Sequence, residues 1–166
     1  MLSRRSLAIL LTLALALPTC AGAPAPKSWR LLTKGTDGVP ARNGEEGGRR
    51  RAPWIELAAD KATFEEIWKR EVPGQPGDVD FRSETAVFLL LGVQSTGGYA
   101  IEPISVDPPA EGVIRVHARL VQPMGDEPVT QAFTAPFAVI AVRTREISKV
   151  EWVNDDGRLL ATRIVE

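Results

Sequence analysis

The chain has 166 residues, 44% of them apolar and 25% charged, with a formal charge of −1. That profile describes a soluble globular protein of about one domain and excludes a wholly disordered chain and a multi-pass membrane protein. The near-zero charge gives no broad electrostatic reason to bind nucleic acid. One cysteine and one histidine exclude a disulfide framework and a Cys/His zinc site.

Residues 1–20 read as a secretory signal. Arg4 and Arg5 precede an apolar run over 7–17 that is too short to span a bilayer. Cys20 closes that run in Leu17-Pro18-Thr19-Cys20 and is the candidate lipidation site, because the segment resembles a lipoprotein signal. Ala21-Gly22-Ala23 offers an ordinary cut site instead. The expected location is extracytoplasmic, as an outer-membrane lipoprotein or a periplasmic or secreted protein. Residues 21–27 read as a tether and 28–166 as a single domain.

Residues 28–33 are a candidate first strand. Residues 35–51 hold five glycines, a Glu pair and Arg49-Arg50-Arg51 but no aromatic, Ile or Leu, so a mobile, solvated loop is expected. A second strand is expected at 54–57. Residues 60–72 predict one helix. Asp60, or Thr63 with Glu66, caps its start, and Phe64, Ile67 and Trp68 form its apolar stripe. Pro73-Gly74-Gln75-Pro76-Gly77 ends it.

The remainder reads as strands. Residues 86–91 are continuously apolar, which predicts a strand covered on both faces. Further strands are expected over 99–106 and 114–121. In the latter, Ile114, Val116 and Ala118 alternate with Arg115, His117 and Arg119, predicting an outward basic face. Residues 133–142 form another strand. Residues 149–153 and 158–165 flank the turn Asn154-Asp155-Asp156-Gly157 as a hairpin. The fold class is mainly β (α+β): an antiparallel β-sandwich or barrel-like domain of six or seven strands with one packed amphipathic helix.

The residue types give no catalytic constellation. His117 stands mid-strand between two arginines, and no Gly-x-Ser-x-Gly elbow occurs. The carboxylate pairs Asp78/Asp80, Asp126/Glu127 and Asp155/Asp156 lie in turn-like sequence, where Asp commonly bonds its own backbone. The expectation is a non-enzyme with no cofactor and no metal, against the alternative of a weakly signalled envelope hydrolase.

The most distinctive segment is Ser95-Thr96-Gly97-Gly98-Tyr99. Together with Val79-Asp80-Phe81, the strand at 87–92, Gln131-Ala132-Phe133-Thr134 and Pro136-Phe137-Ala138-Val139-Ile140, it resembles the C-terminal domain family of the protease complex subunit PrcB. The resembling core spans about 85–142. The resemblance implies an exported, often lipid-anchored, non-catalytic domain; the family's namesake associates with a protease complex, which does not by itself give this chain a protease partner. The expected role is a protein-binding module of the cell envelope, its candidate partner an extracytoplasmic protease or another envelope protein. A fainter similarity links Thr96, Gly98, Tyr99 and Pro136-Phe137 to the loops of chagasin-like protease inhibitors, although Gln94-Ser95 and Ala135 depart from that pattern. The candidate partner-binding residues are therefore Ser95, Thr96, Gly97, Gly98, Tyr99, Pro136 and Phe137. Thr96, Gly97 and Gly98 form the expected tip and Tyr99 its buried support.

Overall fold

The unbroken apolar stretches become the middle of the fold. A computed structural model describes residues 28–38, 52–125, 128–144 and 147–165. The proposed signal segment, Cys20, the tether and Arg49-Arg50-Arg51 lie outside the described residues. The elements run β1 (Trp29–Gly35), β2 (Trp54–Ala58), α1 (Lys61–Glu71), β3 (Thr85–Leu90), β4 (Ala100–Val106), β5 (Val113–Val121), β6 (Phe137–Val142), β7 (Lys149–Val153) and β8 (Leu159–Ile164). Among the described residues the expected six or seven strands are eight, because both short N-terminal stretches pair and take the edges of one sheet.

That sheet has the order β1-β6-β3-β2 and the second has the order β4-β5-β7-β8. They stack with β2 against β8 and β1 against β4, giving a sandwich. Every pairing is antiparallel except β5 with β7, which run parallel because the chain crosses to β6 in the other sheet between them.

Side-chain alternation sends the two faces of β3 and β6 into different layers. Val87, Leu89, Ile140 and Val142 join Ile114, Val116 and Trp152 between the sheets. Ala86, Phe88, Leu90, Phe137 and Val139 face the helix, where Phe64, Ile67 and Trp68 cover them. All residues of β3 and β6 are buried, as continuous apolar sequence requires. Each fully buried side chain of the Val, Leu or Phe type contributes about 1.5–3 kcal/mol.

Helix α1 starts where Asp60 accepts from the Thr63 backbone N–H at 2.9 Å and from its hydroxyl at 2.8 Å. Asp60 is therefore the cap, and Thr63 serves it instead of capping in its own right. Trp68 is 4% exposed. Its ring lies 5.3 Å from Phe64 and 6.4 Å from Phe88, and its indole N–H donates to Gly74 O at 3.1 Å.

Two expectations are corrected. The strand expected over 133–142 begins only at Phe137, because 133–136 are held by irregular loop bonds described below. The outward face of β5 is not a free basic surface. Arg115 pairs with Glu151 at 2.9 Å, His117 Nε2 lies 3.0 Å from Asp107, and Arg119 pairs with Glu102. Hydrogen bonds from Lys149 and Arg115 hold the Glu151 carboxyl below its ordinary range, and Arg119 does the same to Glu102.

Candidate functional site

The loop at 94–99 and the segment leading into β6 meet at one end of the sandwich. Beyond β3, Leu91 N–H donates to Pro136 O at 3.0 Å, and Gln94 and Thr134 exchange backbone bonds of 2.8 and 3.1 Å. Gly97 N–H donates to Thr130 O at 2.8 Å, and the Thr134 hydroxyl donates to Thr96 O at 2.9 Å. On the other side, Ala135 N–H donates to Thr36 O and Gly38 N–H to Ala135 O. The segment before β6 is thus fixed from both flanks. The fold brings together the two loops that the sequence singled out.

Their residues divide by exposure. Ser95 and Gly98 are exposed, and Thr96 is half-buried. Gly98 has φ +85°, and a Cβ there would lie 3.0 Å from Pro123 and 3.1 Å from Val129, so both conformation and space require glycine. Gly97 is buried, and a Cβ would meet Thr130 at 3.3 Å. The expectation that Gly97 belongs to an exposed tip is therefore corrected: the Thr130 strap covers it. Tyr99 is half-buried, packing against the inter-sheet core as support.

Pro136 and Phe137 also need correction as contact residues. Pro136 is fully buried and Phe137 is 3% exposed. Phe137 is already the first residue of β6, and its side chain joins the layer beneath α1. The most exposed large apolar groups at this end are instead Met124 (74%) and Phe133 (71%). Sequence reasoning missed both. Phe133 read as strand, and Met124-Gly125 lay in a turn-like stretch without a periodic signal.

The same end carries an open cleft of about 410 Å³ between the two sheets. Leu91, Leu120 and Leu160 line its deeper part, with Gln94 and Tyr99 from the loop flanks. Arg158 is the one ionisable side chain other than Tyr99 in its lining. No pair of acid and base groups converges there. On the outer face of the second sheet, Ser105 stands opposite His117 and Asp107 contacts the ring. The serine makes no hydrogen bond to the ring, and the three lie on open sheet, so the nucleophile–base contact of a catalytic triad is not formed. Among the described residues, no group of three or more His, Cys, Asp or Glu is placed to hold a metal ion.

The strands β3 to β6, the Thr96 loop and the Pro136 strap form one contiguous unit, and that unit is the part of the chain with a family match. Residues 85–143 match the PrcB C-terminal family model. The matched segment starts at the first residue of β3 and ends just past β6, so it contains β3 to β6 and both partners of the loop ladder. This bears out the resemblance read from 87–92, 95–101 and 136–140. The similarity to chagasin-like inhibitors is not among the findings. No curated protein and no solved structure matches the chain.

Proposed function

We propose that the chain is an exported, lipid-anchored, non-catalytic module of the cell envelope that binds a partner protein as a subunit of a protease assembly. The PrcB C-terminal match over 85–143 carries this reading. The loop end supports it physically. Ser95, Thr96 and Gly98 sit on a rigid ladder beside the exposed Met124 and Phe133, and rigidly held loops bind with little ordering cost. Apolar groups of that size at a surface are suited to a protein contact.

Affinity capture of the protein from its native envelope tests the assignment. Stoichiometric recovery of an extracytoplasmic protease supports it. Recovery of no protein above background, with the domain folded, refutes it. Mass spectrometry of the mature N-terminus tests the anchor. A diacyl- or triacyl-modified Cys20 supports anchoring, and a free terminus at Gly22, Ala23 or Pro24 refutes it.

A further inference from the structure

The hairpin of β7 and β8 is irregular where it reaches the cleft. Val153 pairs with Leu159 but Trp152 pairs with Ala161, so Leu160 is an extra residue on β8. Consecutive residues of a regular strand point to opposite faces. Here Leu159 and Leu160 both line the cleft, and the bulge is the reason. Leu159 remains 53% exposed at the rim.

The polar groups of the cleft are uncommitted. The side chains of Gln94, Tyr99, Gln122 and Arg158 find no hydrogen-bond partner among the described residues. Arg158 is bonded only through its backbone: its N–H donates to Asp156 Oδ1 at 2.9 Å and its C=O accepts from the Asn154 N–H at 2.8 Å. The cleft lining contains no carboxylate to answer the guanidinium. Of the neighbouring acids, Asp156 accepts from the Arg158 backbone N–H, and neither Asp155 nor Asp156 forms an ion pair with Arg158 among the described residues.

We propose that this cleft binds an extended peptide segment of a partner protein in which a carboxylate side chain stands beside an apolar one. This rests on the protein-binding reading above and gives its recognition chemistry. Arg158 takes the carboxylate, for which its planar fork of donors is suited. Leu120, Leu159 and Leu160 receive the apolar side chain. The amides of Gln94 and Gln122 and the Tyr99 hydroxyl each donate and accept, matching the N–H and C=O groups of a passing backbone. The cleft is open, so a chain can cross it without ending in it.

The probe is acetyl-Ala-Leu-Glu-Leu-Ala-amide, with its glutamine twin as control, titrated into the isotope-labelled protein and followed by backbone amide shifts. Saturable shifts at Leu91, Tyr99, Leu120, Leu159 and Leu160 are expected. The glutamate peptide should bind about tenfold more tightly than its twin, the worth of one charge-assisted hydrogen bond. Arg158→Gln should erase that preference, and Leu159→Ser should weaken both peptides. Both residues are exposed, so thermal midpoints should stay near that of the parent. Shifts outside the cleft, equal binding of the two peptides, or a preference that survives Arg158→Gln overturns the proposal. Envelope capture that is insensitive to both variants overturns the cleft while leaving the protein-binding reading intact. Cleft-specific peptide binding without any captured partner does the reverse.

Discussion

Docking of α1 on the first sheet hinges on Trp68, and Trp68→Ala measures it. A buried tryptophan removes about 200 Å² from water. At about 25 cal/mol per Å² this is worth about 5 kcal/mol, of which alanine retains a small part. Large-to-alanine changes at aromatic core sites cost about 3–5 kcal/mol once partial collapse is included. The ring touches Phe64 and Phe88 and is 4% exposed, so little room exists for a cheap rearrangement. The indole bond to Gly74 adds little, because that exposed carbonyl can turn to water. We expect a loss of about 4 kcal/mol for Trp68→Ala and about 1–2 kcal/mol for Trp68→Phe, which keeps a ring in the layer. Urea unfolding followed by far-ultraviolet circular dichroism gives both values without depending on the removed fluorophore. A loss below about 1 kcal/mol for Trp68→Ala, with an unchanged denaturant slope, would refute the docking argument.

Asp60→Ala should cost about 1 kcal/mol in the same assay, since it removes the cap of α1. Glu84 is buried and accepts from Arg30 at 2.7 Å and from the Asp80 N–H at 3.1 Å, bonds that hold its carboxyl below the ordinary range. Its contribution is therefore complete above that range and is lost as pH falls through the depressed value. Glu84→Gln should cost about 2 kcal/mol at pH 7, and the thermal midpoints of the two proteins should draw together as the pH is lowered below the ordinary carboxylate range and through the depressed Glu84 value. Gly97→Arg should destabilise by roughly 2–3 kcal/mol, because the site is covered by Thr130. Ser95→Arg should leave the denaturation midpoint unchanged and abolish partner capture; capture at the parental level would remove this loop from the contact surface.

What the sequence revealed depended on how locally each feature was encoded. The twofold-buried β3 and β6 were legible because 86–91 and 137–142 are apolar without a break. The helix was legible because Asp60, the Phe64-Ile67-Trp68 stripe and the proline-glycine turn all lie within one short window. The meeting of the 94–99 loop with the β6 approach was suggested only by the fainter likeness to chagasin-type loops, not by any pattern in the residues, because it rests on backbone bonds between segments far apart in the chain. The charge of β5 was misread because its partners Glu102, Asp107 and Glu151 come from other parts of the chain. Burial of Pro136 and Phe137 was missed because a proline-aromatic pair reads equally well as a loop tip or a strand start. The cleft was illegible because it depends on a register slip at Leu160 that leaves no mark on the hairpin sequence.

The pairing of β1 has a consequence for the order of assembly. Its hydrogen-bonded neighbour in the sheet is β6, with Trp29 set against Val142, so β1 must wait until β6, far along the chain, has been made. The unit of β2, α1 and β3 is built from near neighbours and can form first, leaving an open edge beside β3 that β6 later fills. Closing so long a loop costs entropy before any contact repays it, and topologies of this kind fold in milliseconds to seconds. A newly made chain therefore keeps its first sheet open for longer than a helical bundle of the same size takes to close.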